Sequence, residues 1–208
     1  MNRPLVISDC DEVLLHMVRH FRDWLDREHD IEFRLVGNNF SKAMKRRNDP
    51  RDLSEAEMWV LLGGFFDTEM PAQTAIPGAV EAVAELQHDA DVVILTNLND
   101  ARADARTSQL RALGINARVF TNQGPKGPAL KAIIDEYAPS RAMFIDDIAG
   151  HHRSAANDVP QARRLHFCGE PTIAPHIECA HQAGHAHRRI DRWDEALPWI
   201  QSELFGEN

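Results

Sequence analysis

The strongest constraint on this chain is a recurrence: short aliphatic bursts that end in polar residues, separated by stretches of helical periodicity. Leu5 to Ser8 runs into Asp9, and Val92 to Leu95 runs into Thr96 and Asn97. Arg118 to Phe120 leads to Thr121 and Asn122, and Ala142 to Ile145 leads to Asp146 and Asp147. A short apolar run of this kind reads as a strand buried on both faces, which in turn requires helices on both sides of a parallel sheet. Those helices are legible. Leu130, Ile133, Ile134 and Tyr137 follow the i, i+3, i+4, i+7 pattern, with Pro128 suited to a first turn. Residues 78–86 and 103–113 form two more, and a last one surrounds Trp193, Leu197, Ile200 and Leu204, where Pro198 restricts the start. The expected fold class is therefore α/β, a Rossmann-like parallel sheet flanked by helices, with ligands bound beyond the carboxyl ends of the strands.

Spacing exposes an insertion. A strand-helix-strand unit takes roughly 30 residues, and the stretch from Asp11 to Val92 exceeds that by about 50. The surplus reads as helical. Val18, Phe21 and Leu25 recur at helical spacing, and Asn38 to Arg47 suits a short helix. Ser54 and Glu57 form a capping-box pattern ahead of Trp59, Leu62 and Phe66, with Gly63 and Gly64 weakening that helix near its end. The expected organisation is a core of residues 1–14 and 76–208 with a small α-helical cap, residues 15–75, inserted after the first strand. Residues 169–190 read as irregular.

Charge narrows the partners. The 208 residues hold 23 Lys and Arg against 32 Asp and Glu, a formal net charge of −9. Such a field repels phosphate backbones and anionic membranes, so neither nucleic acid nor membrane is expected as a partner. No aliphatic run approaches the 18 or so residues of a membrane helix. Asp9, Asp11 and Glu12 interrupt what would be the apolar segment of a signal peptide, and Cys10, Cys168 and Cys179 are an odd set without metal or redox spacing. Both observations point to a cytoplasmic protein with reduced thiols.

The strand ends carry the chemistry. Asp9 and Asp11, two apart, can divide labour as an ionised nucleophile and a protonated general acid. By itself the DxD pair reads equally as a solvated strand exit. The other ends add a hydroxyl at Thr96, an ammonium at Lys126 and a second acidic pair at Asp146 and Asp147. Four strand ends thus converge on an inventory suited to phosphoryl transfer. A divalent cation screens the attacking carboxylate, and Thr96 and Lys126 hold the non-bridging oxygens.

These motifs, ISDCDEVL, VVILTN, Lys126 in GPKGP, and MFIDD, occur in the order found in the haloacid dehalogenase-like superfamily, which the sequence resembles over most of its length. IPGAVEAVAEL and LRALGI are similar to the capped phosphatase and phosphomutase branch. The resemblance implies Asp9 as nucleophile forming an aspartyl-phosphate and Asp11 as general acid and then base. It implies magnesium held by Asp9, the Asp11 carbonyl and Asp147, with Asp146 direct or through water. Thr96 and Lys126 would bind the phosphoryl group, with Asn97 a weaker participant. The implied function is a magnesium-dependent phosphatase acting on a small phosphorylated metabolite. A sugar-phosphate mutase uses the same residues, and a non-catalytic phospho-acceptor, without the lid insertion and the DxD pair, is the alternative of another class. Two departures stand out: Glu12 where the superfamily often has glycine, and His151 where many members have a further acid.

Weaker signals read as structural. Lys42, Lys45, Arg46, Arg47 and Arg51 suit a solvated helix face better than a leaving-group site, and Trp24, Phe40, Trp59, Phe65 and Phe66 suit the core of the lid, with one of them free to line the pocket. The stretch with His176, Cys179, His181, His185 and His187 lacks zinc-site spacing and reads as a surface loop. Cys10, between two carboxylates, reads as packing filler.

Overall fold

A computed structural model of the chain describes residues 2–35, 41–49 and 51–206. Six parallel strands form one sheet in the order β5-β4-β1-β6-β7-β8. They are β1 (Leu5–Ser8), β4 (Asp91–Thr96), β5 (Arg118–Thr121), β6 (Ala142–Asp146), β7 (Arg163–His166) and β8 (Arg188–Arg189). The central strand β1 pairs with β4 through Leu5 and Asp91 and with β6 through Leu5 and Ala142, so Asp9 leaves the sheet between two neighbouring strand ends. Alternation along the strands sorts the core. Val6, Ile94 and Met143 face helices α3 (Ala79–Asp89) and α7 (Trp193–Phe205), whereas Ile7, Val93 and Phe144 face α5 (Gly127–Tyr137). Helix α6 (Ala149–Asp158) follows β6 on that second side, and α4 (Ala103–Ala112) follows β4.

Strands β7 and β8 were not expected, and β8 falls in the stretch read as irregular. The reason is visible at Arg164, which is buried at 8% exposure but donates to the carbonyls of Pro160, Ala162 and His185. A strand whose arginines are satisfied from elsewhere does not look apolar. Pro198 sits inside α7 on its exposed side rather than at its start, at the loss of one intrahelical bond.

The segment between β1 and α3 is less helical than its periodicity suggests. Helices α1 (Val18–His29) and α2 (Glu55–Thr68) frame a two-stranded antiparallel ribbon of β2 (Ile31–Phe33) and β3 (Met44–Arg46). Of the helix expected over 38–47, residues 38–40 lie outside the described residues, 41–43 form one 3-10 turn and the next three are β3. The α2 capping box is present, Ser54 N donating to Glu57 Oε2 at 2.9 Å and Glu57 N to Ser54 Oγ at 3.3 Å. Gly63 and Gly64 do not end α2. A Cβ at Gly64 would stand 3.4 Å from the Trp24 ring, an ordinary packing contact between α2 and α1.

Phe21, Trp24, Phe33 and Phe65 make the insertion's own core, which continues onto Leu98, Cys168 and Ile173 of the sheet domain. Phe40 lies outside the described residues. Arg102, just ahead of α4, clamps α2 from the other side, its Nε 2.7 Å from Asp67 Oδ1 and its Nη2 3.1 Å from the Gly63 carbonyl. The insertion is thereby fixed over the carboxyl ends of the strands. Its basic cluster is largely spent internally, Arg46 pairing with Glu57, Arg47 with Asp26 and Asp30, and Arg51 with Asp49. Among the described residues, no helix is long and apolar enough to cross a membrane.

Candidate active site

Strand β1 delivers Asp9 into a buried position, its N–H bonded to the Ile145 carbonyl of β6 at 2.8 Å. Lys126, at the start of α5 and 1% exposed, places Nζ 2.7 Å from Asp9 Oδ1 and 2.7 Å from Asp146 Oδ2. Asp146 also accepts from Ile148 N at 2.8 Å, a turn that starts α6 and exposes Asp147 to the cleft. Carboxylate oxygens of Asp9, Asp146 and Asp147 lie within 4.8 Å of one another. Thr96 closes the group from the end of β4, and Asn97 beside it donates to the Gly124 carbonyl at 3.0 Å. The structure therefore brings together Asp9, Asp11, Thr96, Asn97, Lys126 and Asp147 on the wall of one cavity of about 560 Å³, with Asp146 just beneath.

The carboxylates outnumber their cations. Burial pushes Asp9 up to about 7, with Asp146 and Asp11 adding to the effect and Lys126 opposing it. Asp147 is raised well above the ordinary carboxylate range by burial and then by Asp146, Asp9 and Glu12. Burial also works against Asp146, but Lys126, His151 and His152 together keep it below the ordinary carboxylate value. The same two carboxylates hold Lys126 up against the cost of its burial. Two buried cations, Lys126 and Arg106, face four acids, a deficit that a divalent cation among hard oxygen donors would cancel.

Asp11 is held differently from Asp9. Arg106, fully buried in α4, donates through Nη2 to both Asp11 oxygens at 3.0 Å, and Gln73 Nε2 adds a third bond at 3.1 Å. The sequence reading missed this arginine. The available signal was a charged residue on the same helix face as Leu110, which the helical period assigns to the core. His152, which the sequence places at a helix start or phosphate entry rather than among ligands, and His166, which it does not single out, both lie under the acidic turn. His152 Nε2 lies 2.9 Å from the Asp146 carbonyl, and His166 Nε2 lies 2.8 Å from that of Asp147. A carbonyl only accepts, so in each ring Nε2 carries the proton; in His166 the free Nδ1 accepts from Ala180 N at 3.0 Å. The acidic turn is thus pinned from behind by two neutral histidines.

Both sequence departures have structural explanations. Glu12 adopts φ +60°, the left-handed region where glycine costs least. In exchange its Oε1 accepts from Met17 N at 3.0 Å and Val18 N at 2.6 Å, capping α1, whose own N-cap residue makes no such bond. His151 lies on the cavity wall with Nε2 3.4 Å from Asn97 Nδ2, beside rather than within the acidic cluster. The histidines of 176–187 do not gather, as far as the described residues show. His187 Nδ1 accepts from Arg164 N at 3.1 Å, and His181 Nδ1 bonds the Ala186 carbonyl. Cys10 is buried and its thiol is pushed up by burial before any effect of its acidic neighbours.

No protein-family model and no curated protein matches the sequence. Solved structures do. A predicted phosphoglycolate phosphatase from Haemophilus somnus superposes with a TM-score of 0.67 at 13% identity, covering 95% of this chain and 97% of its own. A haloacid dehalogenase-like hydrolase from Deinococcus radiodurans with bound phosphate and sodium gives 0.65 at 16%, covering 95% of each chain. This chain has the haloacid dehalogenase-like fold. A Thermotoga maritima protein provisionally assigned as a beta-phosphoglucomutase shares that fold, with a TM-score of 0.63 at 14% identity over 97% of this chain and 100% of its own. Haloacid dehalogenase-like architecture thus extends over the insertion as well as the sheet.

Proposed function

We propose that the protein is a divalent-metal-dependent phosphatase that cleaves a small phosphomonoester through an aspartyl-phosphate at Asp9. The observation that carries this reading is the approach of Lys126 Nζ to Asp9 at 2.7 Å on the cavity wall, beside Thr96 and a cluster of two further carboxylates. The named structural relatives, one with bound phosphate, support the same chemistry.

Asp9 offers a carboxylate oxygen in line with the phosphorus, and Lys126 and Thr96 take the non-bridging oxygens where charge builds in the transition state. The bond from phosphorus to the leaving oxygen breaks as Asp11 gives that oxygen a proton. A water then loses its proton to Asp11, attacks phosphorus and frees Asp9, releasing inorganic phosphate. At rest Asp11 accepts from Arg106 and Gln73, which hold it beside the site of the leaving oxygen. Magnesium is the proposed cation, held by Asp9, Asp147 and the Asp11 carbonyl, with Asp146, already bonded to Lys126 and Ile148, supporting from behind. When bound it supplies the positive charge that lets an anionic carboxylate meet an anionic phosphate.

The cavity is also lined by Met17, Val18, Met58, Leu62 and Phe66, with His176 and Glu178 as polar groups among them. This apolar share of the wall favours hydrolysis of an ester with an apolar leaving group over sugar-phosphate isomerisation. Phosphate release from an aryl phosphate with magnesium tests the reading. Asp9→Asn and chelation each abolish release, and full activity of either preparation overturns the mechanism.

A further inference from the structure

A second cluster of ligand-type side chains lies beside the phosphoryl site and takes no part in the mechanism above. Glu12, His16 and Glu170 are 2%, 4% and 1% exposed, and one donor atom from each lies within 4.8 Å of the other two. Separate segments supply them: the turn after β1, the approach to α1, and the chain beyond β7. The Gly169 N–H, bonded to the Glu12 carbonyl at 2.7 Å, ties the first segment to the third.

In each carboxylate one oxygen is tied to the protein and the other turns inward. Glu12 Oε1 caps α1, while Glu12 Oε2 is buried with no hydrogen-bond partner among the described residues. Glu170 Oε1 accepts from Thr172 N and Oγ1 at 3.1 and 2.7 Å. Its Oε2 lies 3.0 Å from His16 Nδ1, without the alignment of a hydrogen bond, and 3.0 Å from Arg19 Nη2. An isolated buried carboxylate oxygen is costly. Convergence of three buried donors on one point, with one left empty-handed, is the arrangement expected around a cation.

We propose that Glu12, His16 and Glu170 form a second metal site, specific for a divalent first-row transition ion such as zinc or manganese. One imidazole nitrogen with two carboxylates suits these ions better than magnesium, which prefers oxygen ligands throughout. Burial lowers the pKa of His16 and so favours the neutral imidazole that binds metal. Three protein ligands leave coordination positions open, and Glu12, with Met17 and Val18, also lines the cavity. A metal here adjoins the cavity through Glu12. The proposal stands independently of the phosphatase reading.

The test is cobalt(II) and zinc binding to full-length, chelator-stripped protein in saturating magnesium, followed by visible ligand-field absorption, calorimetry and metal content. One equivalent is expected, retained in Asp9→Asn and Asp147→Asn. Glu12→Gln keeps a carbonyl oxygen for the N–H groups of α1 while removing the charge, so folding and metal binding separate; His16→Gln and Glu170→Gln act without touching that cap. Each should weaken binding by more than the roughly 10–100-fold lost with a supporting partner. No cobalt or zinc taken up in saturating magnesium, or uptake unchanged in His16→Gln and Glu170→Gln, overturns the site.

Discussion

At the scale of single residues, buried charge decides most of what can be tested. Arg106, itself without solvent contact, gives both arms of one nitrogen to the partly exposed Asp11 and a further bond to Gln109 at 3.0 Å. Arg106→Ala removes the charge partner of Asp11, which keeps only Gln73 as a donor, and leaves Gln109 Oε1 without its bond; it should cost about 3–5 kcal/mol, measured by urea unfolding. Arg106→Lys should recover only part of this, because an ammonium cannot reproduce the fork. His152 carries a pH dependence. Burial depresses it to about 4, with Asp146 opposing, from an ordinary 6.5. Above pH 6.5 both folded and unfolded chains hold it neutral. Between pH 6.5 and about 4 only the unfolded chain gains the proton, so stability falls with pH, by on the order of 3 kcal/mol across that window. Urea midpoints measured down this range should show the loss in the native protein and much less of it in His152→Gln. An equal slope in the variant would remove His152 as the source.

At the scale of elements, the positions of the catalytic candidates depend on close packing between helices. Gly127 follows Lys126 at the head of α5, where its N–H donates to Ser154 Oγ of α6 at 2.9 Å. A Cβ there would collide with the side chains of Asp158 and Ser154 and stand 2.7 Å from the Ser154 carbonyl, which as helix backbone cannot move aside. Gly127→Ala should therefore destabilise by about 1–3 kcal/mol and displace Lys126 from Asp9. Urea unfolding checks the first effect, and a fall in phosphate release larger than the lost folded fraction checks the second. The glycine pair in α2 teaches the opposite lesson about the same residue type. There a Cβ would meet Trp24 only at ordinary contact distance, and the helix runs on through both glycines, so only the partner helix distinguishes the two roles.

At the scale of the whole molecule, residues of the insertion and of the sheet domain line a shared cavity, with Asp9, Asp11 and Asp147 on its wall together with Met58, Leu62 and Phe66. Esters with an aryl or branched alkyl leaving group should be hydrolysed with higher kcat/KM than sugar phosphates. Phe66→Ser should narrow that preference by about tenfold or more, since removing apolar contact is worth 1–3 kcal/mol. A native preference for sugar phosphates would remove the apolar lining as the determinant. The sheet and the acidic residues of the site were legible in the amino-acid order. A strand buried on both faces must be apolar, and a parallel sheet places the residues after its strands at one end, so Asp9, Thr96 and Asp147 announce themselves locally. Strands β7 and β8, the ribbon of β2 and β3, and the supports of the site did not. Arg106 meets Asp11 across 95 residues of chain, and His166 meets the Asp147 carbonyl across 19. The sequence by itself determined the α/β architecture, the insertion and the acids that could carry chemistry, because burial and periodicity act on neighbours in the chain. Only the tertiary structure decided which charges compensate one another and that Glu12, His16 and Glu170 share a point in space. A long-range contact leaves no mark on the residues flanking either partner.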